Sequence, residues 1–216
     1  MPSDDLFAPA QVFARVRQRL SLDGGGASVD LGDHRFDSSI APPALAARAR
    51  AAAVLVGLVA YNEEVRVLLT KRASTLKDHS GQIAFPGGKI EPTDKTPIAA
   101  ALREAYEEIG LEARHVEPIG TLDPYLTGTG FKVVPVIAKV EPPFHLHINL
   151  HEVEDAFEVP FSFLMNEANH ELHTREWEGR MRQFFAMPYG ERHIWGATAG
   201  ILRNLYERLY TTGHKD

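Results

Sequence analysis

The sequence predicts an α/β (α+β) domain built on a mixed β-sheet. Short apolar, β-rich runs are interleaved with two or three segments of helical periodicity. The length of 216 residues suits one well-buried domain with an added arm, and is too short for two full-sized ones. An apolar content of 44% supports a real core, and a charged content of 24% is ordinary for a globular protein.

The elements follow in chain order. Residues 7–20, "FAPAQVFARVRQRL", place Val12, Phe13, Val16 and Leu20 at helical spacing. "DGGG" (23–26) ends that helix and opens a polar stretch to about residue 40. "PPALAARARA" (42–51) reads as an extended or short helical lead-in. "AVLVGLVAY" (53–61), the turn "NEE" (62–64) and "VRVLLT" (65–70) make a β-hairpin. "STLKDHSG" (74–81) is a polar loop, "QIAF" (82–85) is short and extended, and "PGG" (86–88) is a sharp turn. "TPIAAALREAYEEIG" (96–110) is the strongest helix. "FKVVPVIAKV" (131–140) is a strand whose Pro135 suggests an edge or a bulge. "EVEDAFEVPFSFLM" (152–165) mixes extended and helical signals, and "GATAGILRNLYERLY" (196–210) is a C-terminal helix. The division expected is an N-terminal helix and arm over 1–50 and a domain over 51–216.

Composition excludes several chemistries. There is no cysteine, so disulfides, thiolate catalysis, cysteine-type zinc sites and iron–sulfur clusters are ruled out. The net charge of -6 argues against a broad nucleic-acid-binding surface but not against a local basic pocket for a small anion. The first 20 residues lack the apolar core of a signal peptide, and "AAAVLVGLVAY" (51–61) is too short to span a bilayer. A cytoplasmic location without a membrane segment is expected. "HLHINLH" (145–151) lacks a fourth zinc ligand at a usual spacing, so its histidines read as exposed strand-end residues.

The helix over 96–110 carries the chemistry. Thr96 is a good N-cap, Pro97 suits the first helical position and Gly110 suits the stop. Ile98, Leu102, Ala105 and Ile109 form one apolar stripe facing the core. Glu104, Glu107 and Glu108 fall within an arc of about 100° on another face, off the core. Acids so spaced repel, and two of them lie toward the C-terminus, where the helix dipole disfavours negative charge. Arg103 would offset part of this, and a hard divalent cation with oxygen ligands would offset more. Just upstream, "FPGGK" (85–89) supplies glycines that let backbone approach a ligand closely.

These residues resemble the Nudix hydrolases. Gly88 leads the family's box, and Arg103-Glu104-Ala105-Tyr106-Glu107-Glu108-Ile109-Gly110-Leu111 closes it. There are three departures: Asp94 replaces the usual Glu, eight residues rather than seven separate it from Arg103, and Ala105 is small where a bulky aliphatic is usual. The first two belong to the coenzyme A pyrophosphatase branch. That branch carries a second signature, met here by "LLTKRASTLKDHSGQIAFPGG" (68–88), with Ala73 in place of Ser as the one departure. The two motifs run together over residues 68–111, and looser similarity extends from about 50 to 210.

The resemblance implies a Nudix fold, a mixed sheet in an α/β/α sandwich. It implies Mg²⁺- or Mn²⁺-dependent hydrolysis of a diphosphate linkage. The substrate of this branch is coenzyme A or a thioester of it, giving 3′,5′-ADP and a 4′-phosphopantetheine product. Carried onto this sequence, the metal ligands are Glu104 and Glu108, with Glu107 as a third ligand or holding a metal-bound water, and the Gly88 carbonyl as an extra one. Arg103 orients carboxylates by ion pairing. The base is a box glutamate or a later acid, for which Glu152 is the best candidate with Glu154 behind it. Arg72 and His79 are the substrate-contact candidates, beside the Gly87-Gly88 backbone. Phe85 reads as core, and Lys71, Lys77 and Lys89 are available to a 3′-phosphate. A homodimer is a further implication. Two other readings are a Nudix hydrolase of another nucleoside diphosphate derivative, such as ADP-ribose, and a Nudix-like binding module without turnover. The presence of all three box glutamates argues against the last.

Overall fold

The computed structural model describes residues 4–23, 32–36, 46–76, 79–177 and 180–211. Most of the polar stretch before residue 40, the start of the 42–51 lead-in, and Lys77 lie outside the described residues. The strands are β1 (Arg50–Ala60), β2 (Val65–Arg72), β3 (Ile83–Ala84), β4 (Gly87–Lys89), β5 (Val116–Thr121), β6 (Tyr125–Leu126), β7 (Phe131–Val140), β8 (Val153–Pro160), β9 (Glu171–Trp177), β10 (Arg180–Tyr189) and β11 (Arg192–Trp195). The principal helices are α1 (Pro9–Arg19), α2 (Pro97–Ile109), α3 (Phe161–Leu164) and α4 (Ala197–Tyr210).

The first eight strands form one mixed sheet with the path β3-β2-β1-β7-β5, to which β4, β6 and β8 add at β1, β7 and β2. The hairpin of β1 and β2 pairs Ala60 with Val65, and Tyr61 N–H donates to the Glu64 carbonyl at 3.0 Å across the turn. Both faces of β1 are covered: Leu55, Val56, Leu58 and Val59 are fully buried. That is why it reads as a continuous apolar run rather than an alternating one. One apolar cluster joins a sheet face to α1, α3 and α4, and a second joins the opposite face to α2 and residues 144–148. The result is a mixed sheet with helices on both sides.

α1 packs as its spacing predicts, with Val12, Phe13, Val16 and Leu20 all buried in the first cluster. Arg17 reaches Glu117 at 2.9 Å, and Ser21 bridges to Thr121. "EVEDAFEVPFSFLM" resolves into β8 followed directly by the single turn α3, which accounts for its mixed signal.

Three expectations differ from the structure. "PGG" is not a free turn: Gly87 and Gly88 belong to β4, which pairs with Val54 and Ala53 of β1. Pro135 lies in an interior strand, not at an edge, because β7 pairs with β1 on one side and with β5 and β6 on the other. It is tolerated because β5 pairs to Val136 and β6 resumes at Val133, so the missing N–H falls in the gap between them. The helix face of α2 also differs. Ala100, Ala101 and Ala105 are buried beside Ile109, so the buried arc is shifted toward the acids and takes in Glu108, which is only 4% exposed. Residues 171–195, which carry little periodicity, form a separate antiparallel sheet in the order β11-β10-β9. β9 is largely exposed, and its polar residues on both faces hide it from a pattern search. No described helix is long and apolar enough to cross a membrane.

Candidate active site

The site is built where α2 crosses β4. α2 is held at its start by Thr96, whose Oγ accepts from Ala99 N–H at 3.1 Å, and stops at Gly110. Its buried alanines let it lie close to the sheet. The two glycines of β4 are needed for that approach. At Gly87 φ is 154°, and a Cβ there would fall 2.5 Å from the Ala53 carbonyl oxygen and 2.6 Å from Val54 Cα. At Gly88 a Cβ would lie 2.5–2.6 Å from the carboxylate atoms of Glu104. A carboxylate thus rests directly on the glycine backbone.

Glu108 sits beside it, accepting from Gly87 N–H at 3.2 Å. Burial pushes its carboxyl up to about 8. The negative charges of Glu104 and Glu152 push the same way, and Gly87 N–H and Arg72 oppose them. Glu104 is also raised, first by burial, with Arg103 opposing and Glu107 and Glu152 adding. The sequence reading placed all three acids off the core. The structure keeps only Glu107 there, with its side chain 50% exposed.

Arg103 binds the acidic cluster together. Its Nε and Nη2 donate to the two oxygens of Asp94 at 3.1 and 2.9 Å, a bidentate pair. Its Nη1 reaches Glu104 at 3.0 Å and Glu107 at 2.8 Å, and Nη2 also donates to the Lys89 carbonyl. Arg103 first, and Glu91 N–H after it, lower the Asp94 carboxyl from its ordinary value. Arg103 is raised in turn, chiefly by Asp94.

The second half of the site comes from the β2–β8 end. Arg72 pairs with Val153 across a register shift, and Ala73 N–H donates to the Glu152 carbonyl at 2.9 Å. Asn149 organises this corner. Its N–H donates to the Glu108 carbonyl at 2.9 Å, its carbonyl accepts from Glu152 N–H, and its Nδ2 donates to Glu152 Oε1 at 3.1 Å. The charges of Arg72 and Glu152 both act on Glu108. The Nε of Arg72 is buried and has no hydrogen-bond partner among the described residues. His79 lies on a turn pinned to Arg72: Gly81 N–H donates to the Arg72 carbonyl, and Arg72 N–H to the Gln82 carbonyl. It is exposed, takes a positive φ of 57°, and its Nδ1 is 2.9 Å from Gln82 Oε1.

The structure therefore gathers Gly87, Gly88, Arg103, Glu104, Glu108, Arg72 and Glu152, with Glu107 and His79 at the margin. Glu154 is drawn aside by Lys71 at 2.8 Å. Phe85 is in the core, 4% exposed. His145, His147 and His151 are exposed, in a segment that is not a regular strand. Sequence reasoning missed Asn149 as an anchor and the pairing of Asp94 with Arg103. The one available signal was Asp94 itself, an acid at a fixed distance before the box arginine.

The donor set of Glu104, Glu107, Glu108 and the Gly88 carbonyl is all oxygen, which suits Mg²⁺ or Mn²⁺. Burial raises both Glu104 and Glu108, and the charge of Glu104 raises Glu108 further; a divalent cation would offset both, so the residues fit one. Among the described residues no three Asp, Glu or His side chains already stand grouped to hold one. Arg103 takes oxygens of both Glu104 and Glu107.

Residues 51–184 match the family described as the NUDIX domain. The chain is 42% identical over 156 residues to "Uncharacterized Nudix hydrolase NudL" of Enterobacter sp. (strain 638), covering 72% of this chain and 81% of that protein. It is 35% identical over 178 residues to the NudL of Photorhabdus laumondii subsp. laumondii, covering 82% and 95%. Among solved structures, a MutT/nudix family protein from Enterococcus faecalis is similar with a TM-score of 0.48 and 17% identity, covering 77% of this chain and 64% of that one. The family match spans more than half of the 216 residues, and the chain belongs to the Nudix family.

Proposed function

We propose that the chain hydrolyses the diphosphate linkage of coenzyme A or its thioesters to 3′,5′-ADP and a 4′-phosphopantetheine product. The observation that carries this reading is Arg72. Its charge acts on the buried Glu108, and its buried Nε has no hydrogen-bond partner among the described residues. Arg72 also belongs to the signature over 68–88 that resembles the coenzyme A pyrophosphatase branch. A planar fork of this kind matches a phosphate oxygen.

Glu104, Glu108, Glu107 and the Gly88 carbonyl would hold Mg²⁺ or Mn²⁺. Bound there, the cation supplies charge neutralisation for the diphosphate and lowers the pKa of water. Arg103 holds Glu104 and Glu107 in place, and Asp94 holds Arg103. Arg72 orients one phosphate, with His79 at the rim as a second donor. Glu152 is fixed through its own backbone and through Asn149, and takes a proton from the attacking water. The water oxygen bonds to one phosphorus, the bridging P–O bond breaks, and its electron pair leaves with the other phosphate. Water's two hydrogens are accounted for by the base and the new phosphate.

Ala73, the position that departs from the signature, is 4% exposed and uses its N–H to hold the Glu152 carbonyl. Its side chain is packed inside, so the change is compatible with the same substrate class. The test is incubation with coenzyme A or ADP-ribose and Mg²⁺ or Mn²⁺, with product identification. Release of 3′,5′-ADP supports the reading. Cleavage of ADP-ribose alone moves the substrate elsewhere in the family, and no cleavage of a wider diphosphate panel points to a binding module.

A further inference from the structure

We propose that the free edge of β9 pairs with a second copy of this chain. The two β9 strands run antiparallel about a two-fold axis at His173, and Glu171 of each copy meets Arg175 of the other. The second sheet supplies the open strand. Its order is β11-β10-β9, and β9 pairs with β10 alone among the described residues. An open edge offers main-chain donors and acceptors to another strand, and proteins blunt such edges with proline, lysine or a bulge. "ELHTREW" (171–177) has no proline or lysine, and its pairing with β10 runs from Glu171 to Trp177 without a register shift.

The ladder fixes which groups point outward. Gly196 N–H donates to the Phe185 carbonyl at 3.1 Å, so Phe185 turns its main chain toward β11. Phe185 stands opposite Leu172 of β9. Alternate residues of a strand turn to opposite neighbours, so Leu172, Thr174 and Glu176 aim their N–H and C=O groups away from β10. Pro188 fits the same phase. It falls among the residues that turn toward β9, and β9 begins at Glu171, opposite Ala186, so the missing N–H costs no ladder bond.

Charge then selects the partner and the register. Arg175 is exposed, stands opposite Arg182 of β10, and has no carboxylate partner among the described residues. Glu171 is exposed as well, with Oε2 at 2.6 Å from His173 Nε2 and its other oxygen open. A bonded pair needs an outward residue from each copy, so a symmetric register is centred on one residue of β9. Centred on His173, Leu172 and Thr174 of one copy bond Thr174 and Leu172 of the other. Glu171 and Arg175 then face each other on both sides of the axis, in the closely spaced non-bonded pairs. Leu172 of each copy becomes the diagonal neighbour of the other, which covers a side chain 50% exposed in one chain. Centring on Thr174 would put Arg175 opposite His173, and centring on Arg175 would put it opposite itself. The strand is thus complementary to its own copy in one register.

The test is the oligomeric state of the full chain, read by sedimentation equilibrium from about 1 to about 300 µM. The wild type is expected to dimerise reversibly in this range. Glu171→Arg and Arg175→Glu each set like charges against one another on both sides of the axis. Each is expected to weaken the dimer at least about tenfold. Mixing the two variants restores opposite charges at both places, and the mixture is expected to associate within about threefold of the wild type. Thr174→Pro removes an outward N–H and leaves the β10 ladder intact, so it is expected to abolish association in a chain whose circular dichroism stays that of the wild type. The surface charge variants keep the test open if Thr174→Pro does not fold. A wild type that stays monomeric throughout overturns the proposal. So does a dimer that survives the single charge variants or folded Thr174→Pro, and so does a mixture that stays as weak as its two components.

Discussion

Arg103 grips Asp94 with two parallel hydrogen bonds, Nε to Oδ1 at 3.1 Å and Nη2 to Oδ2 at 2.9 Å. The same guanidinium reaches Glu104 and Glu107 through Nη1. Asp94 therefore fixes the group that orients two of the three box acids. Asp94→Ala is expected to lower kcat about tenfold and to weaken Mg²⁺ binding, while Asp94→Glu restores part of both. Steady-state kinetics together with Mg²⁺ titration calorimetry checks this. Wild-type metal affinity in Asp94→Ala would mean that Arg103 needs no anchor.

Gly87 and Gly88 are adjacent, yet they should fail differently. A Cβ at Gly87 meets the backbone of Ala53 and Val54, and φ is positive there. Gly87→Ala is expected to destabilise the fold by at least about 2 kcal/mol, read from urea unfolding. At Gly88 the obstacle is the end of the Glu104 side chain, which can swing aside. Gly88→Ala is expected to fold normally but to lose Mg²⁺ affinity and activity. Equal melting temperatures for the two variants would contradict the geometry.

Glu108 links the site to stability. Its carboxyl is pushed up to about 8 in the fold, from an ordinary 4.5. The folded state therefore holds the proton more tightly than the unfolded chain. That contribution is fully present below about pH 4.5 and is lost as the pH rises toward and through about 8. Metal-free protein, kept in chelator, should melt at lower temperature as the pH rises across this window. Glu108→Gln should flatten the dependence, keep the fold and lose most activity. An unchanged pH profile, or near-normal turnover, would remove Glu108 from its assigned role.

Much of this was legible in the sequence, for identifiable reasons. α2 carries a cap, a stop and a periodic stripe, so its range was readable to within a residue at each end. The link between "FPGGK" and the glutamates followed from spacing within contiguous motifs. What escaped depended on packing between distant elements. Three alanines moved the buried arc of α2 and took Glu108 inside, and hydropathy alone assigns an acid to the surface. Pro135 read as an edge or a bulge because the hand-over from β5 to β6 leaves no local mark. Asn149 is unremarkable until its partners on α2 and at Glu152 are in place.

The N-terminal helix offers a test of packing apart from chemistry. Phe13 is 6% exposed and belongs to the cluster on the sheet face opposite α2. Phe13→Ala is expected to cost about 3 kcal/mol of stability. The urea midpoint should fall with an unchanged m-value, and KM for the substrate should stay near the wild-type value. A loss well under 1 kcal/mol would show that α1 is not part of the folded core.

The central claim is the identity of the bond cleaved, and product analysis addresses it most directly. Purified protein, coenzyme A and Mg²⁺ are incubated, and the products are separated and weighed by mass spectrometry. We expect 3′,5′-ADP and 4′-phosphopantetheine in equal amounts, and no product after chelation. Coenzyme A that stays intact under conditions where the same sample cleaves another nucleoside diphosphate derivative would contradict the account.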